Sequence, residues 1–71
     1  MSDDPYNIRA ALPANFTQAE LAERWRITTR TLDRWRIDER GPTWMRIGTR
    51  ILYRTKDVLA FEQARMRRPK R

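Results

Sequence analysis

The stretch Thr28-Thr29-Arg30-Thr31-Leu32-Asp33-Arg34-Trp35-Arg36 decides how this sequence folds. Wound as an α-helix it turns by about 100° per residue, which gathers Thr29, Arg30, Asp33 and Arg34 on one arc and Thr31, Leu32 and Trp35 on the other. One face is suited to packing. The opposite face carries only the tips of hydrogen-bonding side chains, and Thr28 stands where an N-cap belongs.

Upstream, Thr17 and Glu20 form a T-x-x-E capping box, with Phe16 placed to staple onto Leu21. The spacing predicts a helix from Thr17 whose inward stripe is Leu21, Ala22 and Trp25, with Glu20, Glu23 and Arg24 on the wet side. Arg26 and Ile27 make the turn into the next helix. Downstream, Asp38-Glu39-Arg40-Gly41-Pro42 breaks the helical period and reads as a loop. Residues then alternate: Met45, Ile47, Ile51 and Tyr53 fall on one parity and Arg46, Arg50, Leu52 and Arg54 on the other, with Gly48-Thr49 at the bend. This predicts a two-stranded hairpin with one apolar and one largely basic face. Two strands alone are unstable in water, so the apolar face must lie on the helices. Thr55 is expected to cap a third helix with Asp57 in its first turn, where the helix dipole favours an anion. Val58, Leu59 and Phe61 face inward there, Ala64 at the margin, and Pro69 ends the helical tendency. The resulting order is helix, turn, helix, hairpin, helix: mainly α with a small β-hairpin, the plan of a minimal winged helix-turn-helix.

Seventy-one residues allow one domain with an economical core and leave no room for an enzyme cleft beside it. The sequence contains neither Cys nor His, which excludes thiol chemistry, imidazole catalysis and Cys/His metal sites by inventory. No paired carboxylates read as acid/base machinery, so neither an enzyme nor a cofactor is expected. No apolar run approaches a signal-peptide core or a membrane span, and the expectation is a cytoplasmic chain, associated with the nucleoid and not with a membrane. The net charge is +7, unevenly spread. Residues 16–64 hold ten basic and seven acidic side chains, while Arg65, Arg67, Arg68, Lys70 and Arg71 crowd the last seven positions. The chain divides into an N-terminal arm, 1–15, a domain, 16–64, and a basic tail, 65–71. In the arm, Asp4, Pro5 and Pro13 bracket room for a short helix, and a loose arm is equally consistent. A polyanion is the natural partner of such a charge balance, because each neutralised phosphate releases counterions.

From Phe16 to about Phe61 the chain resembles the small MerR-like winged helix-turn-helix proteins, which include phage and mobile-element excisionases and AlpA-type regulators. The resemblance is carried by Phe16-Thr17-Gln18-Ala19-Glu20-Leu21-Ala22-Glu23, Ile27 to Arg36, Gly41-Pro42, Arg46-Ile47-Gly48-Thr49-Arg50-Ile51-Leu52-Tyr53-Arg54 and Asp57-Val58-Leu59-Ala60-Phe61. It implies sequence-specific binding to double-stranded DNA, with the second helix in the major groove and the hairpin as a wing in a neighbouring minor groove. It further implies a recombination directionality factor: a DNA-bending protein that steers a site-specific integrase towards excision of a mobile element. A small asymmetric unit of this kind is expected to bind several sites in a row, head to tail. The alternative within the family is a small transcriptional regulator using the same surface. In one respect the chain departs from many members, which place Gly at the turn between the first two helices, where Arg26 stands. An arginine held left-handed costs about 1–2 kcal/mol, so an extended or differently shaped turn is expected.

On this reading the second helix presents Thr28, Thr29, Arg30, Asp33 and Arg34. Arg30 and Arg34 either pair with guanine in the major groove or clamp phosphates; the bland alternative is an Arg30–Asp33 or Asp33–Arg34 contact on an exposed helix. Asp33 either accepts from a cytosine amino group or holds a neighbouring arginine. The wing offers Arg46, Gly48, Thr49, Arg50 and Arg54, with Arg50 the candidate for a narrow A·T-rich minor groove and Arg46 and Arg54 for phosphates. A solvated strand face kept from aggregating by charge is the competing reading. Trp25, Trp35, Phe16, Tyr53 and Phe61 read as core, whereas Trp44 falls with the basic side and either covers the loop or meets a partner. The tail either tracks phosphates, touches a recombinase or is simply solvated.

Overall fold

A computed structural model describes residues 12–67. The arm's residues 1–11 and the tail positions Arg68, Lys70 and Arg71 lie outside the described residues. The elements run β1 (Asn15–Thr17), α1 (Gln18–Trp25), α2 (Thr29–Ile37), β2 (Met45–Ile47), β3 (Arg50–Arg54) and α3 (Thr55–Arg65). Three helices and a three-stranded antiparallel sheet of order β1-β3-β2 make a small mixed α/β domain. Among the described residues no helix is long and apolar enough to cross a membrane.

The sheet is larger than the expected hairpin. Asn15, assigned to the arm, opens a strand in which Asn15 pairs with Arg54, Phe16 with Tyr53 and Thr17 with Leu52. Three residues are too few for alternation to announce a strand; backbone pairing to β3 defines it.

Helix α1 starts as its sequence dictates. The Glu20 amide donates to Thr17 Oγ1 at 3.1 Å and the Thr17 amide donates to Glu20 Oε1 at 2.9 Å, closing the capping box. It ends at Arg26, which adopts φ 57°, ψ 44°. The turn is therefore left-handed and neither extended nor reshaped, contrary to expectation. Its strain is offset by the hydrogen bonds it permits: Ile27 donates to the Ala22 carbonyl at 2.9 Å and Arg26 to that of Glu23 at 3.2 Å, a Schellman ending. Helix α2 closes the same way. Glu39 has φ 57°, Arg40 donates to the Trp35 carbonyl at 2.7 Å and Glu39 to that of Arg36 at 3.3 Å.

Thr55 does not cap α3. Arg54 occupies the cap, without a side-chain cap bond, because the Thr55 hydroxyl donates to the Pro13 carbonyl and its amide to the Ala14 carbonyl at 3.0 Å. The segment before β1 is thereby tied to the start of α3. Asp57 does sit in the first turn, and Ala64 is exposed.

The core is Phe16, Leu21, Ala22, Leu32, Tyr53 and Val58, one contribution or more from every helix and from β1 and β3. Leu21, Leu32 and Val58 are completely buried, and each such side chain contributes about 1.5–3 kcal/mol. Trp25 and Trp35 pack beside it and form a trio with Phe61, ring centroids 5.4–6.3 Å apart and one ring from each helix.

Candidate nucleic-acid interface

Helix α2 starts at Thr28, whose Oγ1 accepts from the Thr31 amide at 3.2 Å. With Leu32 buried and Thr31 and Trp35 half-buried, the packing arc is the expected one. Thr29, Arg30, Asp33 and Arg34 are exposed together on the other arc, and Ile37 joins them. Arg30 and Arg34 take part in no ion pair among the described residues.

Asp33 contacts neither of them. Its Oδ1 accepts from Arg36 Nη2 at 3.1 Å and from Gln18 Nε2 at 2.7 Å, while Arg36 Nη1 donates to Gln18 Oε1. The Arg36 guanidinium also lies over the Trp44 ring, 5.4 Å from its centroid. Of the readings open for Asp33, the structure shows it holding an arginine, but Arg36 and not Arg30 or Arg34. The triad joins the first turn of α1 to the last turns of α2, and through Trp44 to the loop before β2. It was missed because only the Asp33-to-Arg36 spacing is local; Gln18 is remote in sequence.

The hairpin faces differ from the parity reading. Met45 pairs with Leu52, Arg46 with Ile51 and Ile47 with Arg50. Directly opposed residues share a face, so across a two-residue bend the odd positions of β2 join the even positions of β3. Arg46 therefore shares a face with Ile51, Tyr53 and Phe16, the face turned to the core, while Arg50, Leu52 and Arg54 share theirs with Ile47 and Met45. Arg46 and Arg50 point to opposite sides. Both are exposed and outside every ion pair among the described residues. Gly48 at the bend has φ 64°, and Thr49 is not among the positive-φ residues, as a type II′ turn requires. Arg54 is only partly available, since its Nε donates to Asp57 Oδ2 at 3.0 Å.

Two shallow depressions flank the junction of α2 and the hairpin. One is lined by Asp33, Arg36, Ile37, Trp44 and Arg46, the other by Thr17, Gln18, Ala19, Arg36, Thr49, Arg50 and Ile51. Arg36 is common to both.

Arg65, counted with the tail, is the last residue of α3 and covers the Phe61 ring at 4.3 Å. Arg67 is exposed beyond it. Arg24 is exposed as expected and is also bonded to Glu62: its Nε donates to Oε2 at 2.6 Å and its Nη2 to Oε1 at 3.0 Å, and Trp25 Nε1 donates to Oε2 at 2.6 Å. The Arg24 hydrogen bond holds the Glu62 carboxyl below the usual carboxylate range, helped by Trp25 and by the arginine's charge, against the opposing effect of burial. The same bond raises the Arg24 guanidinium, against the lowering effect of its burial. The carboxylates of Asp33, Asp57 and Glu62 are thus each occupied by an arginine, and Arg30, Arg34, Arg46 and Arg50 are left with their charge directed outward.

Compared with family models, with curated proteins and with solved structures, the chain gives no match.

Proposed function

We infer that this chain is a winged helix-turn-helix protein that binds double-stranded DNA sequence-specifically, bends it and acts as an excisionase, directing an integrase towards excision of a mobile element. The observation that carries the DNA reading is the sorting of charge around α2 and the hairpin. Asp33 and Asp57 are each engaged by an arginine, whereas Arg30, Arg34, Arg46 and Arg50, in no ion pair among the described residues, present their guanidinium groups from two adjacent projections. Guanidinium groups of this kind suit phosphate and the O6/N7 edge of guanine.

In this reading α2 enters the major groove with Thr29, Arg30 and Arg34 towards the bases, and the β2–β3 hairpin is the wing. Asp33 positions Arg36 and leaves base reading to its neighbours. Anchoring a helix and a wing in neighbouring grooves fixes two stretches of backbone, which favours a bent duplex. The excisionase role draws on the resemblance of the Phe16-to-Phe61 blocks to that family, and binding is the whole of the chain's part in the reaction.

The test is a footprint over attachment-site DNA beside an excision assay with the element's integrase. Repeated, phased protection and excision that requires the chain are expected. Excision that proceeds unaided, with protection confined to a promoter, would replace this reading by a transcriptional regulator.

A further inference from the structure

Ile37 is 76% exposed, on the same arc as Arg30, Asp33 and Arg34. A large aliphatic group facing water on a basic surface is unremarkable when isolated, but this one is not isolated. With Trp44, itself 38% exposed, it lines the depression that Asp33, Arg36 and Arg46 complete. Within that depression the Arg36 charge is already met by Asp33 and the indole face. The result is a neutral apolar ledge with an outward-directed cation at its edge, Arg46, and another, Arg34, one turn back along α2.

Such a ledge fits an anionic partner that carries an apolar group among its recognition features. Resting on the DNA reading above, we propose that Ile37 is a specificity-determining residue that packs on the C5-methyl group of a thymine. Among the groups a base pair displays in the major groove, that methyl is the apolar one. The arginines bring the phosphates, and Ile37 meets the methyl. Ile37 follows Arg30 by seven residues, about 10 Å along a helix axis, which is about three base-pair steps. The thymine therefore lies about three steps from the base pair that Arg30 faces when α2 runs along the groove.

The experiment uses the full chain to enrich duplexes from a randomised library, then replaces each thymine of the enriched duplex by uracil, which removes the methyl and nothing else. Affinities are measured by fluorescence anisotropy for the natural chain, Ile37→Val and Ile37→Ala. One replacement is expected to weaken the natural chain by about three- to tenfold. Ile37→Ala should weaken the thymine duplex by a similar factor and be indifferent to that replacement, with Ile37→Val between. The proposal is overturned if Ile37→Ala, with an unchanged urea midpoint, still penalises the same uracil or loses affinity equally on both duplexes. It is also overturned if Ile37→Ala leaves DNA affinity intact and alters sedimentation of the free protein, which would make Ile37 a protein contact. A library that yields no enriched duplex defeats the DNA reading itself, a result distinct from either of these.

Discussion

Ile47 stands directly opposite Arg50 across the two-residue bend, and this pairing sends Arg46 and Arg50 out of the hairpin on opposite sides. A wing with one basic face would lay all its cations along one wall of a groove. This hairpin instead sets Arg46 in the depression with Asp33 and Ile37 and Arg50 in the one with Thr17 and Gln18, Arg36 lying between the two.

The two arginines should accordingly fail in different ways. Arg46→Ala is expected to reduce the dependence of log affinity on log salt by about one phosphate's worth, a slope change of about 0.9, with flank preference intact. Arg50→Ala should lose discrimination for an A·T-rich flank. Titrations of both variants and of the double variant over a salt series check this; the double variant should be additive to within about 0.5 kcal/mol. Strong coupling between them would place both side chains on one contact.

Acid should loosen the α1–α3 contact. Glu62 titrates below its ordinary range in the folded chain, so its contribution is fully present above the unfolded carboxylate value and is lost as pH falls through the lowered folded value. Glu62→Gln should cost about 1–2 kcal/mol at neutral pH and flatten the acid limb of stability. Urea unfolding across the carboxylate range reads both, and a variant retaining the natural chain's acid limb would assign that limb to another group.

Left-handed positions should respond oppositely to glycine and to alanine. Arg26→Gly relieves a strained residue and should gain about 1 kcal/mol. Gly41 has φ 84°, and an added Cβ would stand 2.9 Å from Trp35 Cε3. Gly41→Ala should thus lose about 2 kcal/mol or more, combining left-handed strain with overlap on a packed ring. Thermal midpoints of the two variants should move in opposite directions; a downward shift for Arg26→Gly would contradict the strain argument.

The Tyr53 hydroxyl is buried with no hydrogen-bond partner among the described residues. A buried hydroxyl left unsatisfied costs about 1–3 kcal/mol, so Tyr53→Phe should be neutral or stabilising. A loss above about 1 kcal/mol in urea unfolding would show that the oxygen has a partner after all.

The sequence made the three helices and the hairpin legible because each carries a local signal. Thr17 with Glu20, Thr28 before Leu32, and Asp57 in the first turn of α3 mark helix starts locally, and Gly48-Thr49 marks the bend. What escaped was set by distant partners. Strand β1 exists because Phe16 meets Tyr53, and the Thr55 hydroxyl was taken from capping by Pro13. Gln18 reaches Asp33 only once α1 and α2 cross, and Glu62 reaches Arg24 only once α3 folds back. The hairpin faces were a different kind of miss: alternation was counted straight through the bend, although a two-residue turn inverts it. Of the candidate site, the helical period is enough to show the outward arc of α2 and that Asp33 can hold an arginine; that the arginine is Arg36 and not Arg30 or Arg34, and that Ile37 lies on the same arc, come from the folded chain.

Two of the three indoles, Trp25 and Trp35, are clasped in the aromatic trio, whereas Trp44 sits half-open beside α2 under Arg36. Light emitted by this chain therefore carries two messages from two places. The clasped pair reports whether the scaffold is assembled, and the outlying ring reports whatever settles against the ledge, so that a Trp44→Phe variant would fall silent to an arriving ligand while still announcing its own unfolding.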